Sequence, residues 1–341
     1  MTVLPDLQWA PLKIPLERRL QTLACIARIS TYLVLEPLCL YLMYKMLYSR
    51  FWWAAILYLA WMVYDIEVCH RGSRMFEWVR NWSIWRHYCD YFPIKLVKTA
   101  ELDPSKNYLF GCFPHGVVSF GAFGAFASNA LDFSKTFPGL SVHMVTLRGR
   151  FLIPFLRELY LALGGCSSSL ESLLYLLNPK KQKGKCVALV VGGSAEILYT
   201  EPGQYNVKLK DRKGFVRAAL MTGASLVPVL VFGETDLFRP FNFPEGSMMR
   251  RWQKWVLRVT GLVPILPLGR GIFQYSFGLL PYRVPLAVVV GAPIEVERNQ
   301  DPSEEEVDAV HAIFVDKLVE LFENEKPKYV PNHENVKLVI N

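Results

Sequence analysis

The chain has 341 residues, of which 52% are hydrophobic and only 20% charged, with a mean hydropathy of +0.20. It is too apolar for an ordinary soluble enzyme and too charged for a multi-pass transporter, which leaves a membrane-attached catalytic domain. The net charge of +8 suits an anionic membrane surface or an anionic cosubstrate. No zinc-finger, helix-turn-helix or RNA-recognition signature is present, so nucleic acid is set aside as a partner.

Two apolar stretches come first. Leu20–Tyr44 carries Arg28, Glu36 and Pro37, whereas Phe51–Tyr64 has no charge and includes Trp52, Trp53 and Trp61. Spanning takes about 20 apolar residues, so the second stretch must borrow from Met46–Arg50 to cross. A hairpin over residues 20–64, spanning or re-entrant, follows a short segment 1–19 and precedes a domain over 65–341. Arg18 and Arg19 flank it before, Arg71, Arg74 and Arg80 after, and only Lys45 and Arg50 lie between. That basic excess places both ends in the cytosol. The seven scattered cysteines contain no Cys-x-x-Cys pair, which argues for a reducing compartment and against structural zinc.

From Asp65 the pattern is α/β: a mixed central sheet with flanking helices. Buried strands are predicted at Tyr108–Cys112, Val142–Leu147, Cys186–Val191, Leu226–Phe232 and Pro285–Val290, and helices at Val117–Leu131, Ser168–Leu177 and Gly214–Thr222. In Met248–Leu262, Trp252, Trp255, Val256 and Val259 recur at helical spacing opposite Arg250, Arg251, Lys254 and Arg258. This fits either an interfacial helix or an ordinary amphipathic one. A last helix is predicted to start with Asp301 as N-cap, Pro302 in its first turn and Glu304 closing a capping box.

Three strand ends carry chemistry. Phe113-Pro114-His115-Gly116 leaves the Tyr108–Cys112 strand and leads into the predicted helix at Val117, whose positive dipole end would keep the His115 imidazole neutral. Val190-Val191-Gly192-Gly193-Ser194-Ala195-Glu196 delivers Glu196 past two glycines whose N–H groups suit an oxyanion or phosphate. Val231-Phe232-Gly233-Glu234 delivers Glu234. Ligands gather beyond such strand ends in α/β sheets. There is no second glycine for a hydrolase elbow, no P-loop, no dinucleotide fingerprint and no metal-ligand spacing among the six histidines.

Tyr91-Phe92-Pro93, the His115 turn, Val190–Glu196 and Arg212-Lys213-Gly214-Phe215-Val216-Arg217 together resemble the diacylglycerol acyltransferase type 2 family. So do Leu226–Glu234 and Gly269–Tyr282, and the likeness runs from about Glu17 to Val336. The wording at Glu17–Leu23, Leu96–Leu102 and Phe273–Gly278 is most similar to the monoacylglycerol acyltransferase branch. The chain departs from the family's His-Pro-His-Gly turn at Phe113. Related glycerolipid acyltransferases have an aspartate five positions after the histidine, and here that position is Phe120.

The resemblance implies a glycerolipid-acyltransferase-like fold. It also implies transfer of an acyl group from acyl-CoA, as cosubstrate, to monoacylglycerol or diacylglycerol in triacylglycerol synthesis. The setting it implies is the endoplasmic reticulum membrane, catalytic domain toward the cytosol, and lipid droplets. His115 is the expected general base, oriented by Glu196; Arg212, Lys213 and Arg217 are the expected partners of the CoA phosphates, with backbone N–H groups near Gly116 or at Gly192 and Gly193 holding the oxyanion of the reacting carbonyl. No metal or resident cofactor is implied. Alternatives are a long-chain (wax) alcohol acceptor, a catalytically silent lipid-binding member motivated by Phe113, and, more remotely, a serine hydrolase. The acceptor and the oligomeric state stay open. Ser119, Asn129 and Glu234 are the polar candidates for a second acceptor hydroxyl.

Overall fold

A computed structural model describes residues 7–11 and 13–341; the expected segment 1–19 falls partly outside them. The first apolar stretch is one helical rod, Leu16–Leu47, made of an α-helix Leu16–Ser30, a π-helical turn Thr31–Leu35 and a second α-helix Glu36–Leu47. Pro37 explains the wide turn. It cannot donate a backbone hydrogen bond to the preceding turn and its ring crowds that turn's carbonyl, so the helix opens rather than breaks. The second stretch is helical over Trp52–Tyr64 and continues through a 3-10 segment to His70. Both rods are long and apolar enough to cross a membrane by length and composition.

The hairpin does not divide from the domain where the hydropathy suggested. Ala24, Cys25 and Arg28 are buried, and this half of the first rod packs on the helix Ser83–Tyr91. Apolar exposure is isolated in this half, at Leu16 and Leu23, and becomes dense at Leu33, Val34, Leu38 and Leu40 and again at Trp52, Trp53 and Leu57. One face of the first half of the rod is therefore domain core, and the densely apolar surface suited to a bilayer starts near residue 33.

An ion cluster fixes the second arm where it re-enters the domain. Asp65 receives hydrogen bonds from Arg74 at 2.8 and 3.1 Å and from Arg157 at 2.9 Å, and Arg74 also pairs with Glu158 at 3.0 Å. Tyr58 stacks on Phe155 with ring centroids 5.1 Å apart and accepts the Phe155 N–H at 2.8 Å.

In chain order the strands are β1 Lys95–Lys98, β2 Tyr108–Phe113, β3 Ser141–Thr146, β4 Cys166–Ser167, β5 Lys185–Val190, β6 Tyr205–Val207, β7 Ser225–Phe232, β8 Arg239–Pro240, β9 Pro267–Leu268, β10 Ala287–Val290 and β11 Leu338–Ile340. Seven form one mixed sheet in the order β1-β10-β7-β2-β5-β3-β4; every pairing is parallel except β10 with β7. The β2 strand is central and wholly buried, and its alternating side chains feed both cores. Phe110 and Cys112 join Phe120 and Phe126 on one face, while Leu109 and Phe113 join Phe215 and Phe314 on the other. The five predicted strands are present within two residues of their expected ends. β1 was not anticipated: only Leu96 and Val97 mark it as apolar.

Three helices differ in extent or role from the sequence expectation. The one predicted over Val117–Leu131 spans only Phe120–Phe126, because Gly116–Val118 form a turn and Ser119 adopts a left-handed φ of 55°. Two of its seven residues are glycines, poor helix formers that are retained for close packing. A Cβ at Gly121 would run into Val231, and one at Gly124 into Ile94. The last helix runs Glu304–Tyr329 with Ser303, not Asp301, as N-cap. Ser303 Oγ accepts the Glu306 N–H at 3.2 Å while Glu306 Oε2 accepts the Ser303 N–H at 2.9 Å, so the capping box closes on Glu306. The helix Met248–Thr260 turns its indoles outward. Arg250 and Gln253 are buried, bonded to the carbonyls of Leu198 and Pro264, and Trp252, Trp255 and Val259 are exposed among Arg251, Lys254 and Arg258. That favours the interfacial alternative.

Asp65→Ala should cost about 1–3 kcal/mol, because it removes one of the two carboxylates that satisfy the Arg157 guanidinium, 1% exposed, and leaves only Glu158 at 2.7 Å. Thermal unfolding of the detergent-extracted chain measures this; an unchanged midpoint would remove Asp65 as the anchor of the hairpin.

Candidate active site

The sheet order places β7, β2 and β5 side by side and parallel, so the three chemistry-bearing loops leave adjacent strand ends. His115 follows the middle strand, Glu234 one neighbour and Glu196 the other. Both glutamates are almost wholly buried, and both reach sideways to the backbone of the middle loop. Glu196 Oε1 accepts the N–H of His115 and Oε2 accepts that of Lys208 at 3.0 Å. Glu234 Oε1 accepts the N–H of Phe120 at 2.7 Å and Oε2 that of Gly121 at 2.8 Å. One carboxylate thus holds the start of the His115 loop and the other holds its end.

This changes the role expected of Glu196. Its hydrogen bonds go to main-chain donors and not to the imidazole, so it fixes where the His115 loop sits rather than how the ring is turned. The ring has a nearer partner: Nδ1 lies 3.1 Å from the Gly116 carbonyl oxygen. With Nδ1–H donating there, Nε2 keeps its lone pair and is the basic nitrogen. The Gly116 carbonyl does for this histidine what a side-chain carboxylate does elsewhere.

Glycines make room for the two carboxylates. A Cβ on Gly192 would collide with Oε2 of Glu196, and one on Gly116 would stand 2.7 Å from Cγ of Glu234, at a φ of +55° that already disfavours other residues. A Cβ on Gly121 would press on Glu234 Oε2 at 3.2 Å. Gly192 therefore accommodates Glu196, whereas Gly193 lies on the cavity wall.

A cavity of about 820 Å³ adjoins the loop. His115, Ser119, Gly193, Ser194 and Arg212 line its polar end, and Phe123, Leu257 and Leu262 are among its apolar walls. Of the three cations expected to meet CoA, the structure brings only Arg212 to the cavity. Lys213 pairs with Asp308 at 2.5 Å, and Arg217 pairs with Glu304 and donates to the Pro302 carbonyl at 3.1 Å, tying both to the last helix. Asn129 is spent on Arg80 and Glu77, and Glu234 on backbone; of the three polar candidates Ser119 is the one that lines the cavity, with its hydroxyl donating to the His115 carbonyl at 3.1 Å. Phe113 is fully buried against Phe314 and does not line the cavity. The departure from histidine at that position therefore removes no group from the site.

Many cavity residues were not anticipated as site residues, Arg28, Tyr32, Glu36 and Arg150 among them. Arg28 and Glu36 did stand out in the sequence as the charges interrupting an apolar stretch, and that was the available signal. Among the described residues no group of histidine, cysteine and acidic side chains is arranged to hold a metal ion.

Burial sets the protonation states. It pushes the Glu196 and Glu234 carboxyls up to about 7, opposed by the backbone N–H groups each accepts. It lowers His115 from its ordinary 6.5, opposed by the Gly116 carbonyl; burial, more than a helix dipole, keeps the imidazole neutral.

A model of the family described as diacylglycerol acyltransferase matches residues 44–341. The chain belongs to that family. It is 42% identical over 330 residues to 2-acylglycerol O-acyltransferase 1 of Bos taurus, covering 96% of this chain and 98% of the relative. It is 42% identical to diacylglycerol O-acyltransferase 2 of Dictyostelium discoideum, over 94% and 95% of the two chains. To acyl-CoA wax alcohol acyltransferase 2 of Mus musculus it is 40% identical, over 88% and 90%. A solved structure, the 1-acyl-sn-glycerophosphate acyltransferase PlsC from Thermotoga maritima, aligns over 90% of this chain and 97% of that one, with 12% identity and a TM-score of 0.40. That likeness is too loose to bear on the site. The two carboxylate clamps give the His115 turn a physical frame.

Two predictions follow from that frame. Gly192→Ala and Glu196→Gln disturb the same clamp, the first by displacing the carboxylate and the second by turning an NH2 against an N–H donor. Each should lower turnover on the order of ten- to a hundredfold, and the double variant should lose little beyond the worse single one. Additive losses, measured on extracted folded protein, would show that Gly192 has a separate task.

The second concerns pH. Glu196 and Glu234 bind their protons more tightly folded than unfolded, so their contribution to stability is complete below about 4.5 and is lost as pH rises through about 7. Acidifying from 7 therefore does not cost stability through these groups, but protonation sets an O–H against a clamped N–H and loosens the loop, as Glu196→Gln does. The value of kcat/KM should then fall in two steps, one at about 7 from the clamps and one below 6.5 from His115; a profile with no step below 6.5 would contradict a neutral buried base.

Proposed function

We propose that this chain transfers a fatty acyl group from acyl-CoA to the hydroxyl of a membrane-dissolved acylglycerol, with His115 as general base. The observation that carries the reading is a histidine held by two flanking carboxylate clamps on the wall of a cavity that the apolar hairpin also lines. Nε2 of His115 takes the proton of the acceptor hydroxyl as its oxygen attacks the thioester carbonyl carbon. The carbon–sulfur bond then breaks and the CoA thiolate recovers the proton from the imidazolium. No acyl-enzyme is required, because the acceptor oxygen is itself the nucleophile. The N–H of Gly193, on the cavity wall, is the nearest candidate to stabilise the oxyanion. Arg212 is the cation available to an anionic part of acyl-CoA.

The relatives named for 2-acylglycerol, diacylglycerol and wax alcohol lie within 40–42% identity, so overall identity does not select the acceptor. Monoacylglycerol stands first on the branch-like wording at Glu17–Leu23 and Phe273–Gly278. Basic flanks around the hairpin and seven free cysteines support the cytosolic face of the endoplasmic reticulum membrane. The silent lipid-binding reading loses its motive, since Phe113 lies in the core.

His115→Ala should reduce acyl transfer from labelled acyl-CoA by about a hundredfold or more, with membrane attachment unchanged. Turnover near that of the unaltered chain would end the general-base assignment.

A further inference from the structure

Arg28, Tyr32 and Glu36 are spaced four apart along the first rod, which puts them on one face of the helix. That face looks into the His115 cavity from the hairpin side, and Arg150 meets it there. Arg28 is 5% exposed. Its guanidinium lies 3.9 Å from the Phe123 ring centroid and 4.5 Å from that of Tyr32, while the Arg150 guanidinium sits 4.4 Å from the Tyr32 centroid and pairs with Glu36. Charged groups in a helix bound for the bilayer are expensive, and such groups ordinarily serve a polar ligand or a pathway.

The donors already spent define what this cluster can bind. Arg28 Nη1 donates to Thr31 Oγ1 at 3.1 Å and Nη2 to the Tyr32 hydroxyl at 2.5 Å, whereas Nε is buried with no partner. Two of the five guanidinium N–H groups are thus spent, and Glu36 on the same helix face, paired with Arg150, presents a negative charge that an incoming carboxylate or phosphate would meet as a like charge. The unpartnered Nε–H and the Tyr32 O–H serve as donors and the second oxygen of Glu36 as acceptor, a set matched to an alcohol, which both gives and takes a hydrogen bond.

We infer that Arg28, Tyr32 and Glu36 form a subsite for a second free hydroxyl of the acceptor, so that one hydroxyl of a monoacylglycerol meets His115 while the other is held by the hairpin. This rests on the acyl-transfer reading above and adds the basis of its acceptor choice. Diacylglycerol and a long-chain alcohol offer one hydroxyl each. Either would leave the buried polar set unmatched, and sites built to hydrogen-bond a hydroxyl reject analogues lacking it far more strongly than apolar pockets reject an extra methylene.

The test gives the full-length chain, in native membranes, labelled acyl-CoA with equimolar monoacylglycerol, diacylglycerol and long-chain alcohol. Monoacylglycerol should be consumed at least about tenfold faster than either competitor. Tyr32→Phe keeps the ring beside the two guanidinium groups and removes only the hydroxyl; Arg28→Met removes the charge. Both should lower the ratio of monoacylglycerol to alcohol product, mainly through kcat/KM for monoacylglycerol, and Tyr32→Phe carries the test alone if Arg28→Met does not accumulate. Equal losses on all three acceptors, an unchanged ratio, or first consumption of diacylglycerol or alcohol by the unaltered chain would overturn the subsite while leaving acyl transfer intact. Transfer to none of the three would instead overturn the acyl-transfer reading itself.

Discussion

Everything at the catalytic end of this molecule depends on two carboxylates that spend themselves on peptide N–H groups. A loop joining a central strand to a seven-residue helix has little intrinsic rigidity, and the helix, rich in glycine and phenylalanine, has little propensity of its own. Glu196 and Glu234 reach across from the strands on either side and accept N–H groups at the two ends of that loop. Buried, charge-assisted hydrogen bonds of this kind are stronger than neutral ones, and their desolvation cost is met only where the donors are in place. The loop and its clamps therefore form together or not at all. The histidine between them inherits a position fixed by the sheet.

The same economy of space explains the glycines. Gly192 and Gly116 are places where a glutamate side chain passes so close to the main chain that no side chain fits. For the ring to act as the proposed base it needs only a tautomer and an acceptor for Nδ1–H, and the carbonyl of the next residue supplies both. Part of the cavity wall is furnished by the hairpin, so the site is built from chain segments about ninety residues apart, as Arg28 and His115 show.

The sheet was legible because its strands are continuous apolar runs ended by glycine, proline or an acid, a pattern few other elements share. The three strand ends were legible for the same reason, and the sheet order makes them neighbours. The partner of each glutamate was not, since ring nitrogen and backbone N–H of one residue differ by a few ångströms that sequence does not encode. Val117–Leu131 read as a long helix because apolar residues run through it without a break; the left-handed Ser119 is imposed by tertiary packing. Lys213 and Arg217 read as a phosphate site because a basic turn looks alike whether it faces a ligand or a neighbouring acidic helix end. Arg28 and Glu36 were visible but were taken as flaws in a span, when the face of the rod that carries Arg28 is protein core.

The rod Leu16–Leu47 is at once bilayer anchor and cavity wall, with only a π-helical turn between the two parts. A helix embedded in a membrane relieves a mismatch in hydrophobic thickness by tilting, and a tilt of the outer half bears on the turn that carries Tyr32. Membrane thickness thereby becomes an input to the geometry between hairpin and histidine. Lipid composition would tune acceptor choice without any molecule binding to the protein as an effector.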